Sequence, residues 1–165
     1  SVLIGHSESR LYLHESDDMI KSKISNCLNE CLYPVVCCGE TKDNRKRGDY
    51  LEVVRKQLEP IIKNIPNGKL KFISFAYEPI WAIGTGENAS PEQIDEIHNY
   101  IRTLLCSYFP IDLAFSVPLL YGGSCSKNNA RDILLIKNVN GLLVGGASLD
   151  VEHFSKIIKI ANELS

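Results

Sequence analysis

A glutamate that follows an apolar stretch is the residue best placed for acid–base chemistry. Glu78 comes after the apolar run 70–76 and is flanked by Tyr77 and Pro79. A carboxylate that is positioned and partly removed from water can act as a general base, because burial raises its pKa. The chain continues Ile-Trp-Ala-Ile-Gly-Thr-Gly, in which apolar side chains between Pro and Gly hinge points could exclude water. The alternative is a surface loop whose tryptophan packs locally.

Other unusual residues follow apolar runs in the same way. His6 stands beside Gly5, where an imidazole could polarise a carbonyl or move a proton. Two glycine pairs, Gly122-Gly123-Ser124 and Gly145-Gly146, could let the backbone approach a phosphate closely. Either pair alone could be a tight turn, but two at matching positions favour a phosphate site. The remaining histidines are expected to be structural or solvated: His14, His98 and His153.

Length and composition exclude several classes of protein. A chain of 165 residues with 44% hydrophobic residues, 23% charged residues and a net charge of −2 suits one globular domain. The longest basic run is Arg45-Lys46-Arg47, so no nucleic acid or anionic membrane is expected as a partner. No stretch approaches the roughly 20 apolar residues of a membrane helix, and no secretory signal is evident. A cytoplasmic location is the expectation.

The elements that must position these residues alternate along the chain. Short apolar, β-branched runs are separated by segments of helical period, which predicts an α/β fold of βα units around a parallel sheet. The runs are 2–4, 35–38, 70–76, 117–121 and 142–144. Periodicity fits both an open doubly wound sheet and a segment of an eightfold barrel. In both, the carboxyl ends of the strands carry the chemistry.

The helical segments carry apolar stripes and cap signals. Ser90-Pro91 with Gln93 predicts a helix that begins with a capping box, and another helix is expected from Asp150. Pro60 is expected to kink or divide a helix. The cysteines lack a C-x-x-C pair and are interpreted as buried side chains rather than metal ligands. Expected inward stripes are Ile20, Ile24, Cys27, Leu28, Cys31; Leu51, Val54, Leu58, Ile61, Ile62; Ile94, Ile97, Ile101, Leu104, Leu105; and Phe154, Ile157, Ile158, Ala161, Leu164.

The run Ala-Tyr-Glu-Pro-Ile-Trp-Ala-Ile-Gly-Thr-Gly at 76–86 closely resembles the base and lid of the triosephosphate isomerase family. Four further blocks agree in family order, at 4–10, 37–41, 120–124 and 141–149. The resemblance spans the whole chain. It implies a (β/α)8 barrel represented by strands four to eight and their helices. Residues 1–165 would then be the C-terminal part of a single barrel domain, with the first three βα units absent.

The resemblance also implies roles. Glu78 would move a proton between two carbons of a triose phosphate through an enediolate, while His6 would be the neutral imidazole that polarises the substrate oxygens. Glu8 resembles the supporting acid after the histidine. The substrate would be a small phosphorylated triose, with no cofactor and no metal, in a homodimeric family. The groups that would hold the phosphate are Gly84, Ser124, Gly145 and Gly146.

Departures from the family pattern limit the expected activity. Ser9 stands where the family usually has Arg, and Glu87 where a Lys commonly ends the lid. The sequence opens at Ser1 without Met, and no candidate is present for the family's first-strand lysine or its main dimer loop. We therefore expect the 165-residue chain alone to be inactive and poorly folded. The alternatives are a truncated, non-catalytic phosphate-binding or assembly module, and a different phosphate-binding barrel enzyme.

Overall fold

A computed structural model describes residues 1–83 and 87–164. Its strands pair in parallel in chain order to form one five-stranded sheet, as the alternating pattern predicted. The strands are β1 (Val2–Ile4), β2 (Pro34–Cys38), β3 (Ser74–Tyr77), β4 (Leu119–Tyr121) and β5 (Gly141–Leu142). The register aligns Cys38 with Tyr77 and Tyr77 with Tyr121, so the residues after these strands meet at one edge.

Helices connect the strands. They are α1 (Ser7–Tyr12), α2 (Asp17–Asn29), α3 (Lys42–Arg47), α4 (Tyr50–Ile62), α5 (Pro91–Cys106), α6 (Ile111–Ser116), α7 (Ala130–Leu134) and α8 (Val151–Glu163). Short 3₁₀ turns occupy Asn67–Phe72, Ile80–Ala82 and Gly146–Leu149. The apolar core forms where α2, α4 and α5 cover the sheet, because their inward stripes bury against strand side chains such as Val36, Phe75 and Leu119.

The start of α5 confirms the cap prediction. Ser90 Oγ accepts the N–H of Gln93, and the Gln93 side chain accepts the N–H of Ser90. This reciprocal pair satisfies donors that the first helical turn leaves without partners. The predicted α5 stripe is buried along its length. The division expected at Pro60 is wrong, because α4 continues to Ile62 and the proline falls in its last turn.

The strands predicted at 70–76 and 142–144 have different bounds in the structure. The apolar run 70–76 is not one strand, because Asn67–Phe72 forms a 3₁₀ turn and β3 begins only at Ser74. Leu70 is fully buried in that turn, so the apolar run reflects the burial of its side chains and does not require a strand at every position. The run expected at 142–144 pairs instead as Gly141–Leu142.

Two core predictions were wrong in part. Cys31 is exposed, because α2 ends at Asn29 and Cys31 has a left-handed φ of 57°. On α8 only Ile157 is fully buried, whereas Ile158 is 44% exposed. The reason is that α8 packs on α7 and the neighbouring 3₁₀ turn, beside a strand of two residues.

The sheet is open in the described part of the chain, where β1 pairs only with β2 and β5 only with β4. A parallel sheet with intervening helices in this order is consistent with part of a (β/α)8 barrel. Across residues 1–83 and 87–164, none of the helices has the length and apolar character needed to span a membrane.

Candidate active site

Glu78 lies directly after β3 and its side chain is only 3% exposed. Its backbone N–H donates to the Cys38 carbonyl oxygen at 2.7 Å, which fixes it against the end of β2. The close approach requires glycine at position 39, where a Cβ would lie 1.8 Å from the Glu78 carbonyl oxygen. The strand pairing therefore holds the carboxylate at the edge of the sheet.

His6 reaches this carboxylate from the end of β1. The distance from His6 Nε2 to Glu78 Oε1 is 3.2 Å, and the Ser7 N–H donates to Oε2 at 3.3 Å. His6 Nδ1 accepts the N–H of Glu8 at 3.3 Å, at the start of α1. In a neutral imidazole an accepting Nδ1 places the proton on Nε2, so His6 directs a donor at Glu78. The exposed Glu8 contributes its backbone here.

The environment keeps the Glu78 carboxyl basic. Burial raises the pKa of Glu78, while His6, the Ser7 N–H and Cys37 lower it by smaller amounts, and the net shift is upward. A raised pKa suits a group that must take a proton from carbon near neutral pH. Glu78 is therefore buried and has a raised pKa, and its role as a base stays a prediction.

Cys37 is a contact that sequence reasoning missed. It lies on β2, is fully buried, and is one of the groups that lower the pKa of Glu78. Burial, followed by the charge of Glu78, raises the pKa of Cys37 well above its usual range, so the thiol stays protonated. Nothing in the sequence separates this cysteine from a core residue, because the contact depends on the pairing of β2 with β3.

The first glycine pair lies against Glu78 and Pro79. A Cβ on Gly122 would lie 2.9 Å from Glu78 Cγ, and one on Gly123 would lie 3.0 Å from Pro79 Cγ. The Ser124 N–H donates to the Ala82 carbonyl oxygen at 3.0 Å, so this donor is occupied in the present conformation. The structure therefore brings this pair to Glu78 and to the segment that follows it.

The other residues predicted to bind phosphate are less constrained by their surroundings. Gly145 and Gly146 are exposed at the start of the last 3₁₀ turn, and a Cβ on either would meet nothing within 4 Å. Because β5 pairs in parallel with β4, they lie at the same edge as Ser124. Gly84 lies outside the described residues.

A buried carboxylate holds the segment after Glu78. Glu40 is 0% exposed, and its Oε1 accepts from Tyr77 Oη at 3.0 Å, Trp81 Nε1 at 2.9 Å and Arg45 Nε at 2.9 Å. The Ile80 N–H donates to the Glu40 carbonyl oxygen at 3.1 Å. Glu40 falls in the block 37–41, and the sequence alone gave it no role.

Replacing Gly122 by alanine tests the contact with the base. The added methyl would meet Glu78 Cγ at 2.9 Å, so Glu78 must shift, and we expect a loss of about 1–3 kcal/mol in the free energy of unfolding. Gly68→Ala is the matched control, since its Cβ meets nothing within 4 Å, and it should change stability by less than about 0.5 kcal/mol. Urea denaturation of the two variants measures this. Equal midpoints would show that Gly122 is not packed on Glu78.

Comparison with known proteins places this geometry in a family. The family model described as triosephosphate isomerase matches residues 1–161. A triosephosphate isomerase of Francisella tularensis subsp. holarctica is 44% identical over 165 residues, covering 99% of this chain and 64% of the relative. Those of Chloroherpeton thalassium and Mycoplasmoides gallisepticum are 39% and 42% identical, covering 97% and 96% of this chain. The chain spans about 64% of the length of the curated relatives it matches.

Proposed function

The chain belongs to the triosephosphate isomerase family, and on that premise we propose that its residues serve the interconversion of dihydroxyacetone phosphate and D-glyceraldehyde 3-phosphate. The observation that supports this most directly is the contact of His6 Nε2 with the buried Glu78 carboxylate at 3.2 Å. A base with a raised pKa beside a hydrogen-bond donor is the pair that proton transfer next to a carbonyl requires.

The proposed reaction moves one proton between neighbouring carbons. Glu78 takes the proton from the carbon beside the carbonyl, and the electron pair of the broken C–H bond forms the C=C bond of an enediolate. The His6 Nε2–H stabilises the negative charge that develops on the carbonyl oxygen. The hydroxyl proton of the first carbon moves to the former carbonyl oxygen, with His6 Nε2 within hydrogen-bonding reach of both oxygens. Glu78 then returns its proton to the former carbonyl carbon as the new C=O bond forms on the first carbon, so that no cofactor is consumed.

Substrate binding must rearrange the resting contacts. At 3.2 Å, His6 and Glu78 leave no space for a substrate atom between them, and Ser7 holds the second carboxylate oxygen. We propose that a bound triose displaces Glu78 from these donors and takes over the His6 N–H. The phosphate would lie near Ser124 and the second glycine pair, Gly145 and Gly146, with Gly84 closing the site.

The five strands correspond, in this proposal, to the fourth to eighth strands of the family barrel. The order of the matching blocks along the chain and the parallel order β1 to β5 support that correspondence. Residues 1–165 would form part of one barrel domain. A homodimeric state and a cytoplasmic location belong to the same proposal.

An activity assay on the chain alone and on a fused chain tests the proposal. In the fused chain, the part of the Francisella tularensis relative outside the matched 64% precedes Ser1. We expect no isomerase turnover above the buffer control from the 165-residue chain, because the sheet formed by its described residues is open at β1 and at β5. The fused chain should interconvert the two triose phosphates.

Turnover by the 165-residue chain would contradict the expected inactivity. A fused chain that unfolds cooperatively but has no isomerase activity would contradict the proposed function. The non-catalytic phosphate-binding module would then be favoured, provided the folded protein still bound a triose phosphate.

A further inference from the structure

Among the residues that the structure describes, a buried arginine outside the proposed active site has only neutral hydrogen-bond partners. Arg102 on α5 is 4% exposed. Its Nη1 donates to the carbonyl oxygens of Ala114 and Val117, the latter at 3.0 Å, and its Nη2 donates to Asn140 Oδ1 at 3.2 Å. Within residues 1–83 and 87–164, no carboxylate pairs with this guanidinium. A buried cation without a counter-ion is costly, so this arrangement needs an explanation.

One edge of the Arg102 guanidinium carries a donor that has no hydrogen-bond partner among the described residues. Arg102 Nε is buried and has no hydrogen-bond partner among the described residues. In arginine, the Nε–H and one Nη2–H point in parallel and form the fork that binds two oxygens of a carboxylate or phosphate. Burial lowers the pKa of Arg102, which is consistent with a charge that lacks compensation.

A cavity of about 290 Å³ lies beside this arginine. Its polar and sulfur-containing lining residues are Asn99, Arg102, Thr103, Cys106, Lys137 and Asn138. The Phe115 ring forms another wall, with its centre 5.2 Å from the guanidinium carbon. The lining contains two cationic side chains and no acidic one, so its electrostatic potential favours an anion.

We propose that the cavity beside Arg102 binds a small oxyanion, of which inorganic phosphate is the simplest example. Arg102 contributes to the lining a guanidinium whose Nε–H has no partner among the described residues, and the exposed Lys137 contributes a second positive charge to the same lining. The bound anion replaces the missing carboxylate and stabilises the junction of α5, α6 and the segment before β5. This site is separate from the edge that carries Glu78 and does not depend on the proposed isomerase function.

Phosphate binding to the fused chain described above tests the proposal. Thermal unfolding is compared in millimolar sodium phosphate and in sodium chloride of equal ionic strength, so that general salt effects cancel. At phosphate concentrations ten times the Kd, Tm should rise by about 3–6 °C relative to chloride. Equilibrium dialysis with labelled phosphate measures the binding directly and does not depend on unfolding.

Variants separate this cavity from the triose phosphate site, which would also take phosphate. Asn140→Asp gives Arg102 an internal carboxylate through the same hydrogen bond, so it should raise Tm in chloride and remove the cavity's share of phosphate binding. Lys137→Gln should weaken phosphate binding about tenfold. Lys159→Gln, an exposed lysine on α8 away from the cavity lining, is the matched control and should leave phosphate binding unchanged.

The outcomes are decisive in both directions. A phosphate response that is lost in Asn140→Asp, reduced in Lys137→Gln and retained in Lys159→Gln supports the cavity as an oxyanion site. The absence of saturable phosphate binding overturns the proposal, as does binding that is identical in the parent chain and in Asn140→Asp. If all three variants weaken binding equally, the effect is general charge attraction and the proposal is also wrong.

Discussion

Replacing Glu78 by glutamine is expected to lower the kcat of the fused chain by about 10²–10⁴-fold, because the amide cannot accept the proton that the carboxylate takes from carbon in the proposed reaction. Glutamine keeps the size of the side chain and an oxygen that can accept the Ser7 N–H, so the fold should remain. The measurement is the initial rate of triose phosphate interconversion. Glu152→Gln, an exposed carboxylate on α8, is the control and should retain the parent rate.

The pH dependence of the same variant distinguishes a base from a structural carboxylate. Because burial raises the Glu78 pKa above 4.5, the kcat/KM of the fused chain should rise with pH through that elevated value. The kcat/KM of the Glu78→Gln variant should not show this rise with pH. A kcat close to that of the parent enzyme would remove Glu78 from the proposed role.

Stability should change with pH in the opposite sense. Between the unfolded pKa near 4.5 and the raised native value, the folded state binds more protons at Glu78 than the unfolded state does. The contribution of Glu78 to the free energy of unfolding is therefore fully present below 4.5 and is lost as pH rises through the native pKa. Urea titrations of the parent and Gln variant across this range should show a difference that declines with rising pH.

Glu40→Ala is expected to cost about 3–5 kcal/mol of folding free energy, the second large effect. The substitution removes the acceptor shared by Tyr77, Trp81 and Arg45, and it opens a cavity at a fully buried position. Burial, followed by the charge of Glu40, raises the Tyr77 pKa far above its usual range, so the hydroxyl is a committed donor. Urea denaturation of the fused chain measures the loss.

A double-mutant cycle separates the energy of the Arg45–Glu40 ion pair from the cost of the cavity that Glu40→Ala opens. If Arg45 and Glu40 are coupled, Glu40→Ala with Arg45→Met should cost less than the sum of the single changes. Tyr77→Phe removes one donor to the same oxygen and should cost only about 1 kcal/mol. Strict additivity would show that the Arg45 contact contributes little, and a Glu40→Ala cost under 1 kcal/mol would contradict the assigned network.

Local sequence signals predicted a helix correctly where the interactions that define it join residues a few positions apart. The Ser90–Gln93 capping box and the apolar stripe after it predicted α5, because caps and helical periodicity depend on residues a few positions apart. The same reasoning failed at 70–76, where a continuous apolar run became a 3₁₀ turn followed by a strand. It failed again on α8, whose burial depends on what covers it.

The sequence by itself determined that Glu78 follows a strand and that His6 and the glycine pairs follow others, which is enough to place them at one edge of a parallel sheet. Only the tertiary structure decided which atoms meet. Ser7 and Glu78 are 71 residues apart and form a hydrogen bond because β1, β2 and β3 pair in order. The same pairing places Cys37 close enough to the Glu78 carboxylate to affect its pKa. The neutral surroundings of Arg102 are likewise set by α6 and the segment before β5, so spacing within α5 could not reveal them.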